Sequence, residues 1–190
     1  MNDMKEEIEK ANEVLNRGGL ILYPTDTIWG IGCDATNDQA VGRVYDLKQR
    51  ADHKAMLVLL DSPNKLLQYV SEVPEIAWDL IELADKPLTI IYPEGINLAA
   101  RLLGDDRSIG IRITRELFSK QLCACFRKPL VSTSANISGQ PAPASFRDIS
   151  DEIKNGVDYI VHYRQNEPIN SKPSGIIRLN VNNTFQIIRK

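Results

Sequence analysis

The 190-residue sequence contains few of the residues that metal sites and covalent cross-links require. It holds three cysteines and two histidines, and no segment has the ligand spacing of a zinc site. An odd cysteine count in a chain large enough to bury a core predicts free thiols. Cys123 and Cys125 fall in a segment with helical spacing, which favours core packing over metal binding.

Long hydrophobic runs are also missing. Runs such as residues 56–60 fall far short of the roughly 20 residues that span a bilayer, and no basic start followed by an apolar stretch marks an export signal. We therefore expect a cytoplasmic protein with no membrane contact. The formal net charge of −2 argues against general coating of nucleic acid, although a local basic patch stays open.

Internal repeats and low-complexity tracts are absent as well. The length only slightly exceeds the ~150 residues typical of one domain, so we expect a single domain over residues 1–190. A hydrophobic content of 43% and a charged content of 25% are ordinary for a soluble globular protein, which excludes the disordered and fibrous classes.

Short β-prone segments alternate with segments of helical periodicity along the whole chain. In residues 108–114, isoleucines alternate with Ser108, Gly110 and Arg112, which is the period of a strand. The alternation predicts an α/β fold with a large mixed β-sheet flanked by helices. The strand candidates are 20–23, 28–33, 56–60, 88–92, 108–114, 130–135, 159–163, 176–179 and 185–188, and the helix candidates are 4–15, 38–48, 63–70, 74–84 and 116–126.

One segment rich in hydroxyls and glycines, residues 23–32, lies between two apolar strands. Glycines there permit close approach of the backbone to a ligand, and a β-turn with local hydrogen bonds is the alternative. Neither of the common nucleotide-binding glycine patterns occurs in the sequence.

A second segment, residues 48–54, carries Lys48, Arg50 and Lys54 with no matching run of acids. These cations form either a solvated surface or a phosphate clamp. On a continued helix Lys48 and Arg50 would lie about 200° apart, so they converge on one ligand only if the helix ends near Lys48.

Two further segments place polar side chains on strands. Ser132, Ser134 and Asn136 share one face if residues 130–136 are extended, and three such groups suit a phosphate, a ribose or a carboxylate. A serine nucleophile is disfavoured because no G-x-S-x-G elbow is present. Arg112 is either a strand residue facing water or a bidentate partner for a carboxylate. Ser174 lies in a further segment, residues 173–177.

Together these segments resemble the YrdC-like family, the threonylcarbamoyl-AMP synthases that act in tRNA modification. The resemblance follows the family's order over nearly the whole chain, and the chain is similar to the short, single-domain form. The matching pieces are YPTDTIWGIG at 23–32, KQR at 48–50, SIGIRI at 108–113, KPLVSTSANISG at 128–139 and PSGII at 173–177.

This resemblance implies a twisted mixed sheet with a concave cationic cavity and a reaction of three substrates. L-Threonine and bicarbonate give an N-carboxylated threonine, which attacks the α-phosphate of ATP and releases pyrophosphate. Magnesium would accompany ATP, with no metal site of the protein's own. A tRNA threonylcarbamoyl transferase complex would take the product in transient contact, with weak tRNA binding open.

The resemblance also implies roles for individual residues. Lys48 and Arg50 would be catalytic, and Arg112 would hold the carboxylate of threonine. The further ATP contacts would be Lys54, Ser108, Ser134, Asn136 and Arg189, and the further threonine contacts would be Thr27, Ser132 and Ser174.

The sequence departs from the family in two places: Leu59 stands where many relatives have histidine, and residues 84–87 replace a Trp-Pro-Gly-Pro stretch. The segment 137–145 is a candidate lid. The main alternative function is a non-catalytic RNA-binding protein of tRNA or ribosome maturation, which the 6% aromatic content and the absence of RNP and KH motifs disfavour. A carbamoyl-handling enzyme similar to part of the hydrogenase maturation proteins is the other alternative.

Overall fold

The computed structural model describes residues 4–50, 56–167, 173–180 and 184–190. Over these ranges helices and strands alternate, as the sequence predicts, and three short 3-10 turns lie at Pro63–Lys65, Ala100–Leu102 and Phe146–Asp148. The elements are α1 (Met4–Asn16), β1 (Ile21–Tyr23), β2 (Gly30–Gly32), α2 (Asp38–Leu47), β3 (Leu57–Leu60), α3 (Leu66–Tyr69), α4 (Ile76–Leu83), β4 (Leu88–Tyr92), β5 (Ile109–Ile113), α5 (Leu117–Phe126), β6 (Leu130–Ser134), α6 (Asp151–Asn155), β7 (Tyr159–Ile160), β8 (Gly175–Leu179) and β9 (Phe185–Arg189).

All the described strands join one mixed sheet in the order β7-β1-β2-β6-β3-β5-β4-β8-β9. The β3–β5 and β4–β8 pairs are parallel, whereas β3–β6 and β4–β5 are antiparallel. The α/β class and the mixed sheet are therefore confirmed.

Local signals explain where the first two helices begin and end. Helix α1 buries Ile8, Ala11 and Leu15 on one side, and the chain leaves it at Gly18, whose φ of 75° suits glycine. Helix α2 starts after Asn37, whose side-chain oxygen accepts hydrogen bonds at 3.1 Å from the backbone N–H groups of Gln39 and Ala40.

The two faces of the sheet are covered unequally. One face packs against α2, α3 and α4 in a large apolar cluster. The other face packs against α1 and α5 in a smaller cluster that includes Ile8, Phe118, Leu122 and Leu59. Along β4, β5 and β6, every second side chain points away from the first cluster and lies on this second face. Where α1 and α5 do not cover these side chains, they line a cavity.

The structure corrects several predicted elements. Residues 63–70 form a 3-10 turn followed by the short α3, and β7 covers only 159–160 of the predicted 159–163. Helix α6 was not predicted, because five residues are too few to show a helical period; the Ser150 hydroxyl accepts a 3.4 Å hydrogen bond from the Ile153 N–H at its start.

The three cysteines are free, as predicted, with Cys33 and Cys123 buried and Cys125 exposed. Burial raises the pKa of the Cys123 thiol, which packs in the cluster under α5. Among the described residues, none of the helices is both long and apolar enough to cross a membrane.

Candidate active site

The cavity on the second face of the sheet has a volume of about 810 Å³. Its described lining comes from seven strands, β2 to β6 with β8 and β9, and from loops between elements. Of the predicted site residues, it brings together Thr27, Arg50, Ser108, Arg112, Ser132, Ser134, Ser174 and Arg189. Arg178, Asp105 and Asp106 add further charge to the described lining, and Thr25, Thr89 and Thr133 add hydroxyls.

The position at which α2 ends determines whether Lys48 or Arg50 lines this cavity. The helix ends at Leu47, and Gln49 has a φ of 50°, so the backbone turns before Arg50. Arg50 then lies on the cavity wall, where burial lowers the pKa of its guanidinium. The helix thus ends where the sequence argument required, but only one of the two side chains lines the cavity.

Lys48 lies behind the wall instead, 1% exposed. Its amine donates hydrogen bonds to the carbonyl oxygen of Ser134 and, at 2.6 Å, to that of Asn136. Burial, and then the charge of Arg50, lower the pKa of Lys48 to about 7. The backbone carbonyl of Lys48 also accepts a 2.7 Å hydrogen bond from the Ser138 N–H. Lys48 therefore anchors the segment 134–138, and the expected convergence of Lys48 and Arg50 on one ligand is absent from this structure.

Strand β6 presents Ser132 and Ser134 to the cavity, as predicted. Asn136 does not share their face, because the strand ends at Ser134 and the chain bends there. The Asn136 side-chain N–H group donates instead to the carbonyl oxygens of Gln140, at 2.6 Å, and Ile137, at 3.1 Å. Its side chain thus fixes the start of the candidate lid segment 137–145. Lys54 lies outside the described residues.

Arg112 is buried, with 3% of its side chain exposed, so the water-facing alternative is wrong. Its Nη2 lies 3.0 Å from the Oδ1 of Asp26, a residue that the sequence did not single out. Burial raises the pKa of the Asp26 carboxyl, and the charge of Arg112 opposes that rise. The two residues are far apart in sequence, so no spacing pattern reveals their pairing.

A second arginine network holds Ser108 at the cavity wall. Arg178 donates from Nη2 to the Ser108 hydroxyl at 3.0 Å and from Nη1 to the Asp106 carboxylate at 2.8 Å. Hydrogen bonds from Ser108, and then the charge of Arg178, lower the pKa of Asp106. Arg178 was missed by the sequence reasoning, although the period of two along β8 places it on the same face as Ile176.

Ser174 and Arg189 meet at the end of the cavity formed by β8 and β9. The Arg189 guanidinium donates to the Ser174 carbonyl from Nε at 2.9 Å and approaches its hydroxyl from Nη2 at 3.4 Å. The hydroxyls of Ser174 and Thr89 lie 3.0 Å apart. These contacts place both predicted residues on one wall.

Comparison with known proteins identifies the family. The model of the Sua5/YciO/YrdC family, described as "Telomere recombination", matches residues 13–190. The chain belongs to this family. A relative named threonylcarbamoyl-AMP synthase from Pseudoalteromonas translucida is 36% identical over 174 residues, which cover 89% of this chain and 91% of the relative. One of the same name from Vibrio cholerae is 31% identical over 159 residues, covering 82% and 85%.

Solved structures of the family share the fold. E. coli YciO superposes with a TM-score of 0.84 at 25% identity, covering 99% of this chain and 90% of YciO. P. abyssi Sua5, solved in complex with L-threonine, gives a TM-score of 0.82 at 23% identity and covers 93% of this chain. The chain spans about half of that Sua5, 52% of its length.

The two places where this family member departs from the motifs lie beside one or the other member of the Asp26–Arg112 pair. Leu59 is the register partner of Arg112 in the β3–β5 pair, and its side chain is fully buried in the cluster under α5. Residues 84–87 line a separate small cavity of about 120 Å³, to which Asp26 also contributes. Both departures therefore change the surroundings of the Asp26–Arg112 pair rather than the wall near Arg50.

Proposed function

We propose that this chain is an L-threonylcarbamoyladenylate synthase, an enzyme of the nucleotidyltransferase class. It joins L-threonine, bicarbonate and ATP to give threonylcarbamoyl-AMP, pyrophosphate and water. The product supplies the threonylcarbamoyl group of N6-threonylcarbamoyladenosine in tRNA. The names of relatives that are 31–36% identical over most of both chains support this proposal.

The observation that carries the proposal is the composition of the cavity wall. Arg50, Arg112 and Arg189 line one cavity. The same cavity is lined by Ser132, Ser134 and Ser174. Arginines suit phosphates and carboxylates because their planar forks donate two parallel hydrogen bonds. One cavity can therefore hold a nucleotide and a small amino acid side by side.

In the proposed chemistry a carbamate oxygen attacks the α-phosphorus, and the bond from that phosphorus to the bridging oxygen breaks as pyrophosphate leaves. A carbamate loses carbon dioxide readily in water, so holding the reactants together away from solvent is the main task. Such orientation contributes roughly 7 to 11 kcal/mol in favourable cases.

For the nucleotide, Arg50 is the proposed contact that stabilises negative charge on the phosphates. Ser108, Ser134 and Arg189 line the same cavity and are the proposed further contacts, with Lys54 as another. Asn136 and Lys48 act on the nucleotide through the segment 134–138 that they hold. Lys48 thus becomes a positioning residue, in contrast to the catalytic role that the motif implies.

For the amino acid, the proposed ligand of the carboxylate is Arg112. Thr27 and Ser132 line the cavity from the side of β2 and β6, and Ser174 lines it from the side of β8. A pocket that hydrogen-bonds a hydroxyl discriminates more strongly against an analogue without that hydroxyl than against one that lacks a methyl group.

Magnesium is proposed as the companion of ATP. The described residues contain no group of three or more His, Cys, Asp or Glu side chains placed to hold a metal ion. The wall carboxylates of Asp105 and Asp106 are oxygen donors of the kind that magnesium accepts beside phosphate oxygens and water. When bound, the ion would neutralise phosphate charge.

The experiment that tests the function measures pyrophosphate release by the purified chain with ATP, magnesium and bicarbonate, with and without L-threonine. We expect release that depends on both threonine and bicarbonate, and a product that carries label from ¹⁴C-bicarbonate. Absent or threonine-independent release by well-folded protein would refute the proposal.

Transient contact with a tRNA threonylcarbamoyl transferase complex is proposed from the chemistry of the product. Threonylcarbamoyl-AMP is a labile mixed anhydride, so a group-transfer reaction must consume it soon after it forms. Addition of such a transferase and tRNA should convert the labelled product into labelled tRNA.

A further inference from the structure

Arg112 lies in a place where a positive charge needs a fixed partner. Its strand, β5, lies between β3 and β4 in the sheet, and 3% of its side chain is exposed. A buried charge without a partner is strongly destabilising. The carboxylate that meets this need is Asp26, 3.0 Å from Nη2 and itself only 12% exposed.

The backbone around Asp26 is held rigidly. The Thr25 hydroxyl donates to the Ile28 carbonyl at 2.6 Å and accepts from the Thr27 N–H at 3.1 Å. The hydroxyls of Thr25 and Thr27 also lie 3.1 Å apart. Both threonines line the cavity, so this turn fixes Asp26 relative to the cavity wall.

The Arg112 guanidinium keeps an unused hydrogen-bond donor. The Arg112 Nε and the Asp26 Oδ1 are both buried without a hydrogen bond among the described residues, so the 3.0 Å contact between Nη2 and Oδ1 is an ion pair. Since buried donors are nearly always paired, an unpaired one beside a cavity indicates the place of a ligand acceptor. The Nε edge of an arginine fork suits a carboxylate.

We propose that Asp26 is a positioning residue for the amino-acid substrate. It balances the charge of the Arg112 guanidinium and keeps it at the cavity wall, so that the unpaired Nε is left for the incoming α-carboxylate. Asp26 acts through Arg112 and is not a catalytic residue. The inference rests on the proposed function and extends it to how the carboxylate is recognised.

The test compares the wild-type chain with Asp26→Asn, which keeps the shape of the side chain and removes its charge. Calorimetry measures binding of L-threonine and of L-threonine amide, which lacks the carboxylate, and kinetics give kcat and the KM values for threonine and ATP. We expect threonine binding to weaken by about tenfold or more and binding of the amide to change by less than about threefold. The KM for ATP should stay near the wild-type value.

Two further variants complete the design. Asp26→Glu keeps the charge and should bind threonine more tightly than Asp26→Asn but less tightly than wild type. If Asp26→Asn does not fold, the test compares the threonine affinity of Asp26→Glu with that of wild type. As a control, Asp38→Asn breaks an exposed ion pair between Asp38, at the start of α2, and Arg101, whose Nε lies 3.2 Å from Oδ2 of Asp38. This variant should leave threonine binding unchanged.

Threonine affinity within about twofold of wild type in Asp26→Asn, or equal losses for threonine and its amide, would overturn the positioning role. If the wild-type chain neither binds threonine nor releases pyrophosphate, the proposed function fails first and the role of Asp26 falls with it. Activity in the wild type together with unchanged Asp26 variants would remove this inference alone.

Discussion

Replacement of Lys48 by methionine tests the buried amine directly. The side chain is 1% exposed, and its pKa is lowered from 10.5 to about 7 by burial and then by Arg50. Between these two values the unfolded chain holds a proton that the folded chain releases. Stability therefore rises with pH across this window, by up to about 1.4 kcal/mol per pH unit, and the slope vanishes below pH 7, where both states hold the proton.

The measurement is the free energy of unfolding in urea at several pH values for wild type and Lys48→Met. Between about pH 7.5 and 9 we expect the wild-type value to gain about 2 kcal/mol relative to the variant, since methionine does not titrate. The raised thiol pKa of Cys33 and Cys123 is present in both proteins and cancels in the difference.

Besides this pH-dependent difference, Lys48→Met should lose a pH-independent part of its free energy of unfolding. Methionine removes the Lys48 donor from two carbonyls. The Ser134 carbonyl keeps a 2.9 Å hydrogen bond from the Asn136 N–H, whereas the Asn136 carbonyl loses its 2.6 Å bond, at a cost of about 1–3 kcal/mol for an unsatisfied group. The same substitution at Lys120, exposed on α5, controls for methionine itself. A difference between wild type and Lys48→Met that does not change with pH would refute the argument.

Three further predictions follow from the site and the sheet. Arg50→Ala should reduce pyrophosphate release by orders of magnitude with an unchanged circular dichroism spectrum, and Arg50→Lys should restore only part of it because an ammonium lacks the planar fork; normal turnover of Arg50→Ala would exclude the phosphate contact. Ser132→Ala should raise the KM for threonine while the KM for ATP stays constant, and a change in the ATP value alone would contradict its assignment. Gly32→Ala should destabilise the fold by about 1–3 kcal/mol, because the added carbon would lie 2.8 Å from the Tyr23 ring. Gly42→Ala on α2 should stabilise the fold by about 0.5–1 kcal/mol, because the nearest atom to its added carbon is 3.8 Å away. Thermal melts measure both changes, and the opposite order of stabilities would refute the packing argument.

Much of the fold follows from local patterns in the sequence. The period of two over residues 108–114 predicted β5, and the helical spacing of residues 4–15 predicted α1. Short elements escaped: α6 is too short to show a period, and the 63–70 segment mixes two kinds of turn. The order of strands in the sheet depends on pairings between distant segments, which no local pattern contains.

The site divides in the same way. Residues on regular strands, such as Ser132 and Arg112, could be placed on a face by alternation. Asn136 could not, because its position depends on where the strand ends. The roles of Asp26 and Lys48 depend on contacts with partners more than 80 residues away in sequence. Asp26 balances the charge of Arg112, and Lys48 anchors the turn after β6.

The last strand of the sheet, β9, is exposed along all of its five residues and, among the described strands, pairs with β8 alone. Yet it carries Arg189, whose guanidinium closes one end of the cavity against Ser174. The outermost β-strand of a sheet opens locally at low free energy, so its amides exchange with solvent faster than those of the central strands. One wall of the proposed nucleotide pocket thus lies on an edge strand, and occupancy of that pocket should be visible as slower amide exchange in β9.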